Sequence, residues 1–351
     1  MRRLMILAAV GLVVLVAAYC VYWFVLARIV AADIANWRDQ QRALGYTVTI
    51  AEQPAIDGFP FSLRAHLGLP DIAAPGGLWH WQGPDTDLRL APWAPLDLVF
   101  MAPGHHHLSL AGIAPRDVAI DADKLAFELD LDQRGQASDF GLRLTGATLA
   151  DSIAGTTTVA SAMIQGHLPW PATPGPEVSS LDLSADATGL NLPAGVRAAL
   201  GQRIDKIHVV TQLMGAVPAA PPLEALAGWR DGGGVIQLRE GEIDWGPISA
   251  SGDGTIALDE KLQPLTAGTM RVAGLPETLD MLAAAGTVPQ GQATLAKLMF
   301  GAVAATPTGG GRPEVALPLT IQNGYVYMGP IKLAPLQPID WNQILIYFNG
   351  R

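Results

Sequence analysis

The chain begins with a long apolar segment. Residues 4–26 contain no charged side chain, whereas Arg2 and Arg3 precede them and Arg28 follows them. A helix of this length is roughly 34 Å long at about 1.5 Å per residue, which is enough to cross a hydrocarbon core of about 30 Å. The pattern therefore predicts a transmembrane helix.

Two alternatives exist for residues 4–26, a cleaved secretory signal and a buried core helix. The apolar region of a signal peptide has about 7 to 15 residues and is followed by a small-x-small cleavage site. The segment here is longer and ends in bulky side chains, which are typical of an interfacial aromatic belt. These side chains are Tyr19, Tyr22, Trp23 and Phe24. We therefore favour an uncleaved signal anchor.

The basic residues at the N-terminus predict the orientation. Arg2, Arg3 and the terminal amine place residues 1–3 on the cytoplasmic side, because basic flanks stay in the cytoplasm. The protein is then expected in a bacterial inner membrane, single pass, with its C-terminal body in the periplasm. Lipidation of Cys20 is not expected, because Tyr19 occupies the position that a lipoprotein signal fills with a small residue.

The next segment, residues 27–45, is predicted to continue as a juxtamembrane helix. Ile29, Ile34, Trp37 and Leu44 recur at near-helical spacing, and Gly45 is a suitable stop. Two interpretations compete: a spacer that carries the body away from the membrane, and an amphipathic helix packed on the sheet that follows.

From residue 46 the hydrophobic period changes from helical to two, which predicts short β-strands separated by Gly, Pro, Asn or Asp. Segments 46–50 and 61–67 flank a turn at 57–60 and suggest a hairpin. Further strands are predicted at 78–81, 86–90, 96–101, 105–110, 117–120, 124–132, 140–149, 156–167 and 178–190. No helix of crossover length separates them, so the sheet is expected to be antiparallel. The predicted fold is mainly β with short helices, an elongated meander that is trough-like or barrel-like.

The β body is predicted to have two halves, residues 46–168 and 178–351. The proline-rich residues 169–177 between them are either a linker or a long hairpin loop within one sheet. Covering helices are predicted at 194–200, 221–229, 277–285 and 294–304.

A short motif occurs twice in the second half, at residues 238–248 and 321–331. The copies share two glycines, a proline and an isoleucine, namely Gly241, Gly246, Pro247 and Ile248 with Gly324, Gly329, Pro330 and Ile331. We interpret each copy as a strand, a tight turn at the first glycine, a short strand and a Gly-Pro corner.

Composition narrows the classes of function. The net charge is −10 with only 22 Lys and Arg residues, so a nucleic-acid partner is not expected. Cys20 is the only cysteine, so the body has no disulfide. Apolar residues make up 50% of the chain and charged ones 15%, which exceeds what one membrane span explains. The exported body is itself unusually apolar.

Few residues suggest chemistry. His105, His106 and His107 raise a metal interpretation, but no Asp, Glu or Cys accompanies them at ligand spacing, so surface histidines are favoured. The triple glycines at 232–234 and 309–311 lack the Lys and Ser or Thr of a phosphate loop, and no Gly-x-Ser-x-Gly elbow occurs. We predict no catalytic, cofactor-binding or metal-binding residue, no cofactor, and no enzymatic activity.

Several motifs together resemble a known family. They are Gly45-Tyr46, the sequence Gly-Phe-Pro-Phe at 58–61, the tryptophans Trp79, Trp81 and Trp93, Pro103-Gly104-His105, and the later Gly-Pro hairpins. Over nearly the whole chain they resemble the domain of unknown function 2125 family of alphaproteobacterial envelope proteins, which implies no established activity. The hairpin at 241–247 also distantly resembles the AsmA and TamB group, which implies an anchored periplasmic groove of antiparallel strands linked to lipid handling.

Two classes of function follow. In the first, the sheet curls into a trough whose apolar face binds lipid or another apolar ligand in envelope maintenance. In the second, the sheet closes on its helices and the protein is an anchored scaffold that binds envelope proteins. The expected partners are the bilayer through residues 4–26, a lipid ligand and envelope proteins.

Overall fold

The computed structural model describes residues 2–111, 115–169, 175–194, 200–286, 288–304, 312–328 and 331–341. Its first element, α1 (Arg2–Ala43), is one unbroken helix. The predicted anchor and juxtamembrane helix are therefore two parts of one continuous helix, which is about 63 Å long at 1.5 Å per residue. By length and composition this helix can cross a membrane. It ends just before Gly45, whose φ of +90° suits a glycine that terminates a helix.

The other described residues are mainly β and form one antiparallel sheet that does not close into a barrel. Within these residues the sheet contains nineteen strands. The first nine are β1 (Thr47–Thr49), β2 (Ala55–Asp57), β3 (Leu63–Gly68), β4 (Asp71–Ala73), β5 (Trp79–Gln82), β6 (Thr86–Ala91), β7 (Ala94–Met101), β8 (Gly104–Leu110) and β9 (Arg116–Leu131). The others are β10 (Ala137–Asp151), β11 (Gly155–His167), β12 (Ser179–Asn191), β13 (Arg203–Met214), β14 (Val235–Trp245), β15 (Ile248–Leu258), β16 (Pro264–Ala273), β17 (Glu314–Gln322), β18 (Tyr325–Met328) and β19 (Ile331–Pro335).

The first eight strands are halves of four longer strands that are interrupted near their middles. Pro70 separates β3 from β4, Pro84 separates β5 from β6, and Pro103 separates β7 from β8. Proline interrupts the ladder because it has no backbone N–H. One set of halves pairs in the order β2, β3, β6, β7 and the other in the order β1, β4, β5, β8, and both sets join β9. The hairpin predicted between 46–50 and 61–67 is therefore wrong, because β1 and β3, which cover these segments, do not pair with each other. Instead β1 pairs with β4 and β3 pairs with β2.

From β9 onward the strands follow one another as neighbours in a simple meander. β9 is a single strand where the sequence suggested two, at 117–120 and 124–132. β11 pairs directly with β12, so residues 169–177 connect neighbouring strands and one sheet runs through both predicted halves. Most of that connection, residues 170–174, lies outside the described residues.

Three shorter helices occur where the sequence predicts them: α2 (Pro222–Asp231), α3 (Leu275–Ala284) and α4 (Gln290–Val303). The helix predicted at 194–200 falls almost wholly outside the described residues.

The two copies of the repeated motif fold differently. In the second copy, Asn323 and Gly324 have φ of +52° and +71° and form the tight turn between β17 and β18, as predicted. In the first copy, Gly241 lies inside β14 next to a register shift, and the turn falls at Gly246, whose φ is +58°. The turn predicted at Gly241 is therefore wrong. The strand continues through this glycine because the residues on both sides of it pair with β13 and β15.

Two cores hold helices against the same face of the sheet. In the first, the C-terminal half of α1 packs on β3 and β6 through Trp23, Leu26, Ala27 and Val30. In the second, Phe300 of α4 packs against β16 and β17. The structure thus supports the amphipathic-helix interpretation of residues 27–45 rather than a free spacer.

Candidate functional site

One face of the sheet carries an apolar row that crosses ten strands in register. Its residues, each directly opposite the next, are Phe100, Phe127, Leu142, Ile164, Ala185, Val209, Gly241, Gly252, Met270 and Leu317. A second row runs beside it through Leu129, Phe140, Gly166, Leu183, Thr211, Leu238, Gly254, Gly268 and Leu319. We call these two rows the apolar groove.

Helices cover the groove only at its two ends among the described residues. Phe100 packs against the core beneath α1, and Met270 and Leu317 pack against the core beneath α4. Between these ends the side chains from Phe127 to Val209 in the first row are half-buried. At about 4.8 Å between strands, ten strands extend over roughly 43 Å, which is longer than a bilayer hydrocarbon core of about 30 Å.

A cavity opens in the part of the groove that contains most glycine. A cavity of about 300 Å³ lies over β13 to β17, lined by Val209, Leu238 and Ile256 among others. A Cβ on Gly252 would lie 2.4 Å from the carbonyl oxygen of Thr269, so neighbouring strands approach closely here. Because glycine has no side chain, the surface at these positions is lower than the surface around it. The residues that line this depression are mostly apolar.

The opposite face of the same strands is polar. A cleft of about 560 Å³ on that side is lined by Asp130, Asp139, His167 and Asp182 among others. Burial raises the pKa of the Asp130 carboxyl, and the nearby carboxylates of Asp97 and Asp139 raise it further. The sheet therefore separates an apolar face from a charged one.

Most histidines lie beside aspartates on neighbouring strands. Pairs with nitrogen to oxygen distances of 2.7–3.7 Å are His66–Asp87, His80–Asp71, His105–Asp121, His107–Asp117, His167–Asp139 and His208–Asp186. The pKa of His208 is raised, chiefly by its hydrogen bond with Asp186. These pairs link neighbouring strands on exposed or half-buried parts of the sheet.

The structure separates the three consecutive histidines that the sequence singled out. His105 and His107 are on one face of β8, each beside an aspartate. His106 is instead buried, at 3% exposure, and its Nε2 hydrogen bonds to the carbonyl of Ala102 at 2.9 Å. Burial lowers the pKa of His106, which favours the neutral ring. Within the described residues no cluster of three metal-ligating side chains forms.

The triple glycine at 232–234 has a packing role. It joins α2 to β14, and a Cβ on Gly234 would lie 2.3 Å from Nε1 of Trp229. That indole is buried and donates a hydrogen bond to the carbonyl of Met214 at 2.8 Å. The other triple glycine, 309–311, lies outside the described residues.

One end of the sheet is fastened to α1. The Tyr19 hydroxyl donates to the carbonyl of Pro60, the Tyr22 hydroxyl donates to the carbonyl of Pro92 at 2.6 Å, and Nε1 of Trp23 donates to the carbonyl of Ser62 at 3.0 Å. These carbonyls belong to the β2–β3 and β6–β7 turns, so both turns lie at the level of residues 19–23 of the helix.

These features define a class of protein: an open antiparallel sheet with an apolar groove, docked on an N-terminal helix able to cross a membrane. The chain belongs to the family described as "Uncharacterized protein conserved in bacteria (DUF2125)", which matches residues 23–337. This confirms the resemblance inferred from the motifs. The match begins at Trp23, where α1 first becomes buried against the sheet. No curated protein and no solved structure matches the chain, and the distant resemblance to the AsmA and TamB group is not confirmed.

Proposed function

We propose that this protein is a single-pass protein of the bacterial inner membrane whose periplasmic body binds a lipid acyl chain in the apolar groove. The role is that of a binding protein in envelope maintenance, without catalysis. The observation that carries the proposal is the middle of the groove, which no helix among the described residues covers and where side chains such as Phe127, Leu142 and Ile164 are only half-buried. Long exposed apolar surfaces on folded bodies mark binding sites, because covering them releases about 25 cal/mol per Å².

The chemistry of the groove favours a hydrocarbon chain over a peptide. Its two rows consist of aliphatic and aromatic side chains and glycine, with Thr211 as the one hydroxyl-bearing member. A peptide laid along it would carry backbone N–H and C=O groups that need hydrogen-bond partners. An acyl chain has no such groups, so it can lie on this apolar surface without leaving a hydrogen-bonding group unpaired. The net charge of −10 also disfavours nucleic acid as a partner.

The contacts of α1 support an anchor that is retained rather than cleaved. Trp23 and Leu26 are at 4% and 8% exposure in the core shared with β3 and β6. Cleavage after residue 26 would remove both side chains and the hydrogen bonds of Tyr19 and Tyr22. The apolar residues before Tyr19 are free for the bilayer, since side chains such as Leu12 and Leu15 are more than 60% exposed.

The test is whether the groove holds lipid in the full-length protein. We expect native mass spectrometry of the chain, purified from membranes in mild detergent, to show bound lipid. Val209→Asp places a carboxylate in the first row and should abolish lipid retention and the uptake of a fluorescent fatty acid. Val210→Asp is the matched control, because this neighbouring valine is also half-buried but lies on the polar face. It should retain lipid.

A photoreactive fatty acid tests the same proposal without any substitution. Cross-links in the unmodified protein should map to β9–β13 residues of the first row, including Phe127 and Ile164. Absence of lipid from the wild type, or equal retention by the Val209 and Val210 variants, contradicts the proposal. Co-purification of an envelope protein in place of lipid would favour the scaffold alternative.

A further inference from the structure

The two turns bound to α1 expose large aromatic side chains. In the β2–β3 turn, Phe61 is 74% exposed and Phe59 is 48% exposed. In the β6–β7 turn, Trp93 is 70% exposed. Side chains of this size rarely remain exposed as a group on a water-facing surface, because their burial releases a large apolar area.

These aromatics adjoin the aromatic residues of the helix. Phe59 stacks on Phe24 with ring centroids 6.1 Å apart and meets Trp23 edge to face at 5.5 Å. Phe24 itself is 60% exposed. Helix and turns together therefore form one exposed aromatic collar, which we define as Phe24, Phe59, Phe61 and Trp93.

The collar lies at the depth where a membrane should end. From residue 4 to residue 22 the helix rises about 27 Å, close to the roughly 30 Å thickness of a hydrocarbon core. Tyrosine and tryptophan concentrate at this boundary, where a ring can lie in the apolar phase and its polar atom can meet water or a carbonyl. Tyr19 and Tyr22 meet the carbonyls of the two turns at this level.

The neighbouring turn shows that this end of the sheet is not apolar in general. Asp97 of β7 pairs with Asp130 of β9, so the β9–β10 turn lies beside the β6–β7 turn at the same end of the sheet. Its residues 132–136 read Asp-Gln-Arg-Gly-Gln. Aromatic residues thus occupy the two turns that touch α1, while the next turn along the sheet is polar.

We propose that the β2–β3 and β6–β7 turns insert into the interfacial region of the bilayer through Phe61 and Trp93, and so seat the body directly on the membrane surface. This inference rests on the anchoring part of the proposed function and deepens it. A body seated in this way has the α1-covered end of its groove next to the lipid headgroups. The groove then takes its acyl chain from the leaflet it touches.

Depth measurements by spin labelling test this inference. In a Cys20→Ser background, single cysteines replace Phe61, Trp93, Gln133 and Leu15, and each carries a nitroxide in nanodiscs of phosphatidylethanolamine and phosphatidylglycerol. We expect labels at 61 and 93 to collide more with oxygen than with a water-soluble nickel complex, as the label at 15 does. The label at 133 should show the opposite preference. Because Phe61 and Trp93 are mostly exposed, these substitutions leave the core intact.

The controls distinguish two kinds of failure. If the labels at 61 and 93 behave like the label at 133 while the label at 15 lies in lipid, the insertion of the turns is refuted and the anchor stands. If the label at 15 is also accessible to nickel, the anchor itself is wrong. A lipid-soluble diazirine applied to the unsubstituted protein gives an independent check, since it should modify residues 58–62 and 92–96 and leave 132–136 unmodified.

Discussion

Replacing Trp23 by alanine tests whether the helix that is able to cross a membrane is also part of the core of the body. Trp23 is 4% exposed, packs in the core with Leu63 and Leu88, and donates a hydrogen bond to the carbonyl of Ser62. Truncation of a buried aromatic side chain costs about 3–5 kcal/mol, of which the hydrogen bond accounts for about 1 kcal/mol. Since about 1.4 kcal/mol is a factor of ten, local opening of β3 and β6 should become about one hundred to several thousand times more frequent.

Amide hydrogen exchange of the full chain in detergent measures this effect where it should occur. Peptides covering β3 and β6 should exchange faster in Trp23→Ala, whereas peptides from β14 and β15, far along the meander, should not change. Leu15→Ala is the matched control, because Leu15 lies on the same helix at 65% exposure and should leave β3 unaffected. Unchanged exchange of β3 and β6 in Trp23→Ala would refute a core shared between α1 and the sheet.

Two further predictions concern the sheet itself. The pKa of His208 is raised above 6.5, so its stabilising contribution is complete below about pH 6.5 and is lost as the pH rises through the higher folded-state pKa. His208→Gln should therefore reduce the fall in unfolding free energy between about pH 5.5 and pH 8.5; an unaltered pH slope would exclude this histidine as a contributor. Gly268→Ala should destabilise the sheet, since its Cβ would lie 2.4 Å from the carbonyl oxygen of Asp253. Thermal melts should show a lower midpoint for Gly268→Ala than for Gly291→Ala, where the space around the glycine is open, and equal midpoints would contradict the close approach of the strands.

The sequence predicts which face of each strand the groove residues occupy, but not which residues lie opposite one another. Alternation within β9 already identifies Leu125, Phe127 and Leu129 as one face of a strand. It contains no information on which residue of β10 lies opposite Phe127. Register decides this, and it depends on turn geometry and on pairing between strands. The apolar groove therefore has no signature that can be read residue by residue. Strands β7 and β9–β12, which build its first half, were predicted from alternation, whereas β13 and β16 were not.

The two copies of the repeated motif show that the local sequence does not always predict where a turn forms. Asn323 and Gly324 form a turn because both adopt positive φ, which the local sequence indicates correctly. Gly241 has the same motif around it but lies within a strand, because β13 and β15 pair with the residues on either side. Pairing with neighbours that are distant in sequence overrode the local turn preference.

The sequence by itself determined an N-terminal helix able to cross a membrane, many of the alternating strands, three covering helices and membership of the family. These properties depend on local periodicity and on segment length, which can be read from consecutive residues. Only the tertiary structure decided that α1 packs on β3 and β6 and that Tyr19 and Tyr22 bind the turns that carry Phe61 and Trp93. It also decided that the first apolar row aligns across ten strands. Each of these depends on contacts between residues that are dozens of positions apart, and such contacts leave no periodic trace in the chain.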